Sequence, residues 1–150
     1  MKFVNSFRGF LLTLRAVRCQ RRKRYNEELA LLLEARRLAP QSDLVLMLLG
    51  DALRRAKRYA DAREAVGSAL QLNPGGYLLN RLMVDILIDS GAPVQEITPH
   101  IKTVLRNRAG GTVSTWPLNQ WKWLKEVKQR RSEWEAWAEK TLLDSETGRL

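Results

Sequence analysis

Cysteine and histidine are almost absent from this sequence, which narrows the chemistry available to it. Its 150 residues include one cysteine, Cys19, and one histidine, His100. A single cysteine forms neither an internal disulfide nor a cysteine-based metal site, and it suits a reducing compartment. Nucleophilic triads and zinc sites therefore lack most of their usual parts. We predict a protein that is not an enzyme, with no catalytic residues, no metal site, no cofactor and no small-molecule substrate.

Long apolar runs are also missing. No stretch approaches the roughly 20 residues that a membrane-spanning helix needs. Hydrophobic residues make up 45% of the chain and charged residues 28%, values that exclude wholesale disorder and favour a globular protein. The length fits one domain or one short repeat array.

Charge is distributed unevenly along the chain. There are 26 basic and 16 acidic residues, which gives a net charge of +10. Residues 1–26 hold eight of the basic residues and no acidic ones. The remainder therefore has 18 basic against 16 acidic residues, a net charge of only +2. A basic segment of this kind predicts attraction to anionic lipid, to nucleic acid or to an acidic protein.

Three interpretations of this N-terminal segment stay open. It has the basic, acid-free composition of a mitochondrial presequence. Its apolar residues also recur at helical spacing, which favours a first helix packed on its neighbour with a solvated basic face. The same helix could instead lie on a membrane or another acidic surface. The residues predicted for that contact are Lys2, Phe3, Phe7, Arg8, Phe10, Leu11, Arg15 and Arg22.

The middle of the chain contains an internal repeat. Residues 21–40 align with residues 55–74 at an offset of 34, and the alignment extends backwards to Leu12 and Leu46. It includes nine identities, among them Tyr25 with Tyr59 and Pro40 with Pro74. Apolar residues at helical spacing, a polar turn and a terminating proline, followed by glycine at Pro74, predict one helical hairpin for each period. Because a hairpin alone cannot bury both faces, such units stack on copies of themselves.

The repeat resembles the tetratricopeptide repeat family, whose 34-residue unit is a helix-turn-helix. With Asp43 as the first position, Gly50, Ala62, Ala69 and Pro74 match the family's small residues and proline. In residues 9–42 the match is partial, because Glu28 replaces one small residue. Residues 77–110 match least, since two small-residue positions hold Glu96 and Thr103 and the proline position holds Arg108.

The resemblance implies an all-α fold, a short right-handed solenoid with a long C-terminal capping helix. Residues 1–110 form the array, with repeats at about 9–42, 43–76 and 77–110. Beyond the part that the resemblance covers, the sequence itself predicts a glycine-containing joint at 111–115, a tryptophan-rich helix at 116–143 and a tail at 144–150.

The five tryptophans fall in that last helix. One interpretation is that the helix closes the open end of the solenoid. The other is that some tryptophans stay exposed as docking anchors, because tryptophan is favoured at binding hot spots and at membrane interfaces. The candidate anchors are Trp116, Trp121, Trp123, Trp134 and Trp137.

The resemblance also implies a concave groove lined by the first helix of each repeat, which grips a partner segment. Positions carried over from the family place nine residues of the second and third repeats there: Leu44, Met47, Asp51, Arg54, Arg55, Leu78, Arg81, Asp85 and Ile88. Phe10, Thr13 and Val17 would contribute from the first repeat. The family's clamp for a C-terminal carboxylate uses Lys, Asn and Arg. The corresponding positions hold Thr13, Val17, Leu48, Leu78 and Leu82, which disfavours binding of chaperone tails.

These observations predict a protein-interaction module: an adaptor, chaperone or assembly factor that is part of, or accessory to, a larger complex. Contact with an anionic membrane through the basic segment is the leading elaboration. Nucleic-acid binding through the same segment is the alternative, disfavoured because no nucleic-acid motif accompanies the charge. The predicted location is the cytoplasm, including the inner face of a membrane, with mitochondrial targeting as a lesser alternative.

Overall fold

The fold is built from helices that pack against one another in chain order. The computed structural model describes the backbone of residues 2–107 and 121–149, and the side chains of residues 4–107 and 132–149. Within these residues there are seven α-helices and no strand. They are α1 (Lys2–Arg21), α2 (Tyr25–Leu38), α3 (Asp43–Arg55), α4 (Tyr59–Leu72), α5 (Tyr77–Asp89), α6 (Val94–Arg106) and α7 (Trp121–Glu146). The predicted all-α helical-repeat fold is confirmed.

The turn inside each hairpin repeats with a period of 34 residues. Lys23, Lys57 and Gly91 all have a positive φ, of 59°, 60° and 72°. Next to each, a backbone N–H closes the turn on a carbonyl five residues back, as from Arg58 to Leu53 at 2.9 Å. Two lysines therefore hold a left-handed conformation that glycine adopts at lower cost. The sequence of the third repeat departs from the pattern, but its turn has the same geometry.

The core lies between the two helices of each hairpin and between neighbouring hairpins. Leu46 and Leu49 of α3 are fully buried, and so are Ala62, Val66 and Ala69 of α4. The small residues let the helices approach closely, as their spacing predicts. The array therefore has a continuous apolar interior of the kind that stacked repeats produce.

The second helix of the third repeat presents its buried face one residue later than the 34-residue register predicts. Ile97, Ile101 and Val104 are buried there, while Glu96 is exposed and forms an ion pair with Arg63 of α4 at 2.7 Å. Counted from α4, these three residues follow Ala62, Val66 and Ala69 by 35 positions. An alignment at a fixed spacing of 34 therefore places Glu96 and Thr103 opposite the buried Ala62 and Ala69. For this reason the third repeat matches the family pattern poorly.

α7 closes the array at its C-terminal end. Ala138 is completely buried, and Trp134 and Leu142 pack against the core beside it. The predicted joint and the start of the predicted helix lie outside the described residues. Its end lies three residues beyond the predicted Leu143, because Gly148, at a φ of 68°, terminates the helix. There the N–H of Arg149 donates to the carbonyl of Asp144 at 2.9 Å, as in a glycine C-cap.

Candidate functional site

The residues predicted for the groove lie on α1, α3 and α5, the first helices of the three hairpins, and we call them together the inner wall. Thr13 does not belong to it as predicted, because its side chain is only 2% exposed. Its apolar members leave much of their side chains uncovered. Leu78 and Ile88 of α5 are 40% and 42% exposed. Leu44 and Met47 of α3 are half-buried, and Phe10 of α1 is exposed. Apolar side chains therefore reach solvent at all three helices.

Arg54 connects two helices of the inner wall. Its guanidinium donates to Asp89 Oδ2 of α5 at 2.7 Å and lies 3.6 Å from Asp51 Oδ1 of α3. Burial alone would lower the pKa of Arg54, but the hydrogen bond to Asp89 and the charges of Asp51 and Asp85 outweigh it and raise the pKa. Its buried Nε has no hydrogen-bond partner among the described residues. Arg54 is thus neither a solvated turn residue nor a free cation.

Arg55 is held in a second ion-pair network. It donates two hydrogen bonds to the carboxylate of Glu28, at 2.6 and 2.9 Å, and one to Asp51 at 3.2 Å. Its guanidinium also lies 5.3 Å from the ring centre of Tyr25. The hydrogen bond with Glu28 is the largest cause that raises the pKa of Arg55. Sequence reasoning treated Glu28 only as a departure from a small residue and missed this pair.

Arg81 and Asp85 lie where α5 meets α7. The guanidinium of Arg81 is 5.3 Å from the Trp134 ring centre, and the indole N–H of Trp134 donates to Asp85 Oδ1 at 3.4 Å. Desolvation raises the pKa of Asp85 despite this hydrogen bond and the nearby arginines. The inner-wall charges are therefore mostly satisfied within the protein, and the uncovered surface between them is mainly apolar.

The residues predicted for contact with an acidic surface lie along α1. Phe7, Phe10 and Leu11 are exposed, as are Arg8, Arg15 and Arg22. A different face of the helix, with Gly9, Thr13, Ala16 and Cys19, is buried against α2. The helix therefore packs on its neighbour and still has a second apolar stripe in solvent. The side chains of Lys2 and Phe3 lie outside the described residues.

Of the two tryptophans whose side chains are described, one fits a capping role and the other is exposed, as a docking anchor would be. Trp134 is partly buried and packs against the core, whereas Trp137 is 39% exposed, with its ring centre 5.7 Å from that of Trp134. The C-terminal half of α7 therefore does cap the array. Trp116 lies outside the described residues, and so do the side chains of Trp121 and Trp123.

His100 is held as a structural residue. Its Nδ1 lies 2.9 Å from Asn80 Oδ1 of α5, and the Asn80 amide donates to the carbonyls of Pro74 and Gly76, each at 2.9 Å. Desolvation lowers the pKa of His100. Across the described ranges, no three His, Cys, Asp or Glu residues come together as a metal site would require. No helix in those ranges is long and apolar enough to cross a membrane.

No model of a known protein family matches the sequence, and no curated protein matches it either. Solved structures do match the fold. The first repeat domain of Spaghetti (RPAP3), bound to the HSP90 peptide SRMEEVD, has a TM-score of 0.65 at 14% identity over 85% of this chain and 94% of that one. A MamA point mutant has a TM-score of 0.60 at 22% identity, over 65% and 71%.

MamA AMB-1 has a TM-score of 0.60 at 24% identity. The match covers 68% of this chain and 55% of that one, so this chain spans little more than half of that protein. These neighbours share helical hairpins stacked in the same way, at identities that establish the fold alone. This chain has a tetratricopeptide-like helical-repeat fold.

Proposed function

We propose that this chain is a non-catalytic protein-interaction module that binds a segment of a partner protein along its inner wall. One observation supports this above all: apolar side chains at equivalent repeat positions of α1, α3 and α5, among them Phe10, Leu78 and Ile88, are exposed. Exposed apolar side chains that form a contiguous patch mark interaction sites in soluble proteins. One structural neighbour carries a bound peptide, which shows that this fold can hold such a segment.

The chemistry of the inner wall indicates what the segment presents. Arg54, Arg55 and Asp89 are engaged in ion pairs within the protein. A ligand that relied on them for charge recognition would have to break those pairs first. Leu44, Met47, Leu78 and Ile88 offer apolar area at no such cost, and the flexible methionine can adapt to different shapes. We infer that the partner contributes mainly apolar anchors, as one face of an amphipathic helix does.

The residues at the carboxylate-clamp positions indicate that this chain does not bind chaperone tails by their C-terminal carboxylate. Val17, Leu48 and Leu82 stand where such a clamp needs side chains that bind a carboxylate. None of them can donate a hydrogen bond to a terminal carboxylate. We expect the peptide SRMEEVD to show no saturable binding up to millimolar concentration by fluorescence anisotropy.

The proposal is tested by changing the inner wall and, separately, an equally exposed surface elsewhere. Leu78→Asp/Ile88→Asp places two charges on the inner wall. Leu33→Asp/Leu72→Asp places the same charges on α2 and α4, where the leucines are 45% and 49% exposed. In pull-downs from native lysate, specific partners should be lost with the first variant and kept with the second. Identical partner sets from both variants would reject the inner wall as the binding surface.

A further inference from the structure

The outer side of the first hairpin, which we call the N-terminal end face, differs in charge from the surfaces that stack inside the array. Where hairpins stack, the repeat positions facing the preceding hairpin are apolar and buried. Leu49 and Ala52 occupy two of them in α3, and Met83 and Ile86 occupy them in α5. The equivalent residues of α1 are Arg15 and Arg18, and both are exposed. Another hairpin stacked here would bury two arginines among apolar side chains, at a high cost in desolvation.

A cavity of about 380 Å³ opens on this end face between α1 and α2. Four arginines line it: Arg15, Arg18, Arg22 and Arg24. The one acidic residue in its lining, Glu27, is hydrogen-bonded to Arg24 at 2.8 Å. Among the described residues, Arg15, Arg18 and Arg22 form no ion pair. The cavity is therefore a cationic concavity of a size that admits a phosphate group.

An apolar extension lies beside this cavity. α3 begins at Asp43, and the equivalent residue of the first repeat is Gly9. α1 already begins at Lys2, seven residues earlier. Two helical turns therefore extend past the level at which α3 starts. Val4 and Phe7 in these turns are 57% and 55% exposed, and Leu11 on the same side is 43% exposed. Leu11, Arg15 and Arg18 share one face of α1, and Arg22 follows in the turn and lines the same cavity, so apolar and cationic groups meet at a single surface.

We propose that the N-terminal end face binds an anionic lipid membrane, with a lipid phosphate in the arginine-lined cavity and the apolar extension in the headgroup region. Charge complementarity selects the occupant, because residues 1–26 hold eight basic residues and no acidic residue. The apolar extension favours a bilayer over nucleic acid or an acidic protein segment, since only the bilayer offers apolar depth beside anionic phosphates. This contact uses Val4, Phe7, Leu11 and the cavity arginines, none of which is a residue of the inner wall.

The cationic part is tested with the full chain and vesicles of phosphatidylcholine, alone or with 30 mol% phosphatidylglycerol. The variant Arg15→Gln/Arg18→Gln/Arg22→Gln removes three cations from the cavity. Arg106→Gln/Lys140→Gln/Arg149→Gln removes three exposed cations elsewhere and is the matched control. One basic residue near an anionic surface contributes roughly fivefold to affinity, so the first variant should lose on the order of a hundredfold. The control should lose less than tenfold.

The apolar part has its own pair of variants. Phe7→Ser/Leu11→Ser should weaken binding to anionic vesicles at least fivefold and leave its salt dependence intact. Leu72→Ser/Leu143→Ser, which changes two equally exposed leucines outside the end face, should bind like the wild type. Circular dichroism checks that all four variants keep their helix content.

Several results would overturn the proposal. Equal binding to neutral and anionic vesicles, no vesicle binding, or equal losses for the cavity and control variants would each reject it. Saturable binding of polyglutamate without vesicle binding would assign the end face to an acidic protein segment instead. None of these results bears on the inner wall, which its own variants test.

Discussion

Gly50 shows how one residue sets the distance between two helices. A Cβ atom at this position would overlap Cγ2 of Val66 in α4. Gly67, in the middle of α4, has no neighbouring atom within 4 Å of the equivalent point. The first glycine is therefore required by packing, whereas the second only lowers helix propensity.

Alanine at these two positions should change stability in opposite directions. We expect Gly50→Ala to lower the free energy of unfolding by about 1–3 kcal/mol through overpacking. Gly67→Ala should raise it by about 0.5–1 kcal/mol, because alanine is the better helix former. Urea denaturation followed by circular dichroism measures both. Stabilisation by Gly50→Ala would contradict the close approach of α3 and α4.

The ion pair between Glu28 and Arg55 predicts unequal costs for its two partners. The Glu28 side chain is 3% exposed and the Arg55 side chain 27%. Arg55→Ala leaves a buried carboxylate without that partner, which costs about 3–5 kcal/mol. Glu28→Ala leaves an arginine that still pairs with Asp51 and reaches water, so its cost should be smaller, about 1–2 kcal/mol.

A double-mutant cycle checks the coupling. Glu28→Ala/Arg55→Ala should cost at least about 1 kcal/mol less than the sum of the single changes. Strictly additive costs in urea denaturation would show that the pair makes no net contribution.

His100 gives stability a defined pH dependence. Because its pKa is lowered in the folded protein from the usual 6.5, the unfolded chain binds a proton more readily. The stability that neutral His100 contributes is complete above its pKa in the unfolded chain. It is lost as the pH falls through 6.5 toward the lower pKa of His100 in the folded protein. Between pH 7.5 and 5.5 the wild type should therefore lose more stability than His100→Gln. Equal losses would show that His100 is not desolvated. The difference in pH dependence between the two proteins can be assigned to His100, because the chain has a single histidine.

At the scale of helices, α7 substitutes for the hairpin that would follow α6. Trp134, Ala138 and Leu142 cover the end of the core, while Trp137 faces largely outward. Trp134→Ala should therefore lower the free energy of unfolding by about 2–4 kcal/mol. Trp137→Ala should lower it by less than about 1 kcal/mol. Thermal denaturation by calorimetry distinguishes these outcomes, and equal losses would argue against the cap.

Helical periodicity and the 34-residue offset were sufficient to predict all three hairpins and their order. The apolar face of α6 is visible in the helical spacing of Ile97, Ile101 and Val104, which are buried. The fixed offset of 34 missed it, because one residue added before the helix moves this face out of the repeat register. Periodicity could not reveal the Glu28–Arg55 pair, since those residues lie 27 positions apart in different repeats. Gly148 is the sequence signal for the end of α7, which continues to Glu146 into the residues predicted as a tail.

On the scale of the whole molecule, the inner wall and the N-terminal end face both expose apolar side chains, but the charges beside them differ. The inner wall combines apolar side chains with charges that are already paired. The N-terminal end face combines apolar side chains with Arg15, Arg18 and Arg22, which form no ion pair in the described part of the chain. The positions predicted for the groove were carried over from the repeat register. The cavity could not be predicted, because it forms only when α1 and α2 pack together.

Site-specific photocrosslinking tests the central claim, that the inner wall holds a protein partner, most directly. A photoreactive amino acid at Leu78 probes the inner wall, and the same amino acid at Leu72 of α4 probes a similarly exposed leucine outside it. We predict crosslinks in native lysate from position 78 to one or a few defined proteins, competed by excess unlabelled chain, and none of these from position 72. The same crosslinks from both positions, or crosslinks from position 72 alone, would contradict the account.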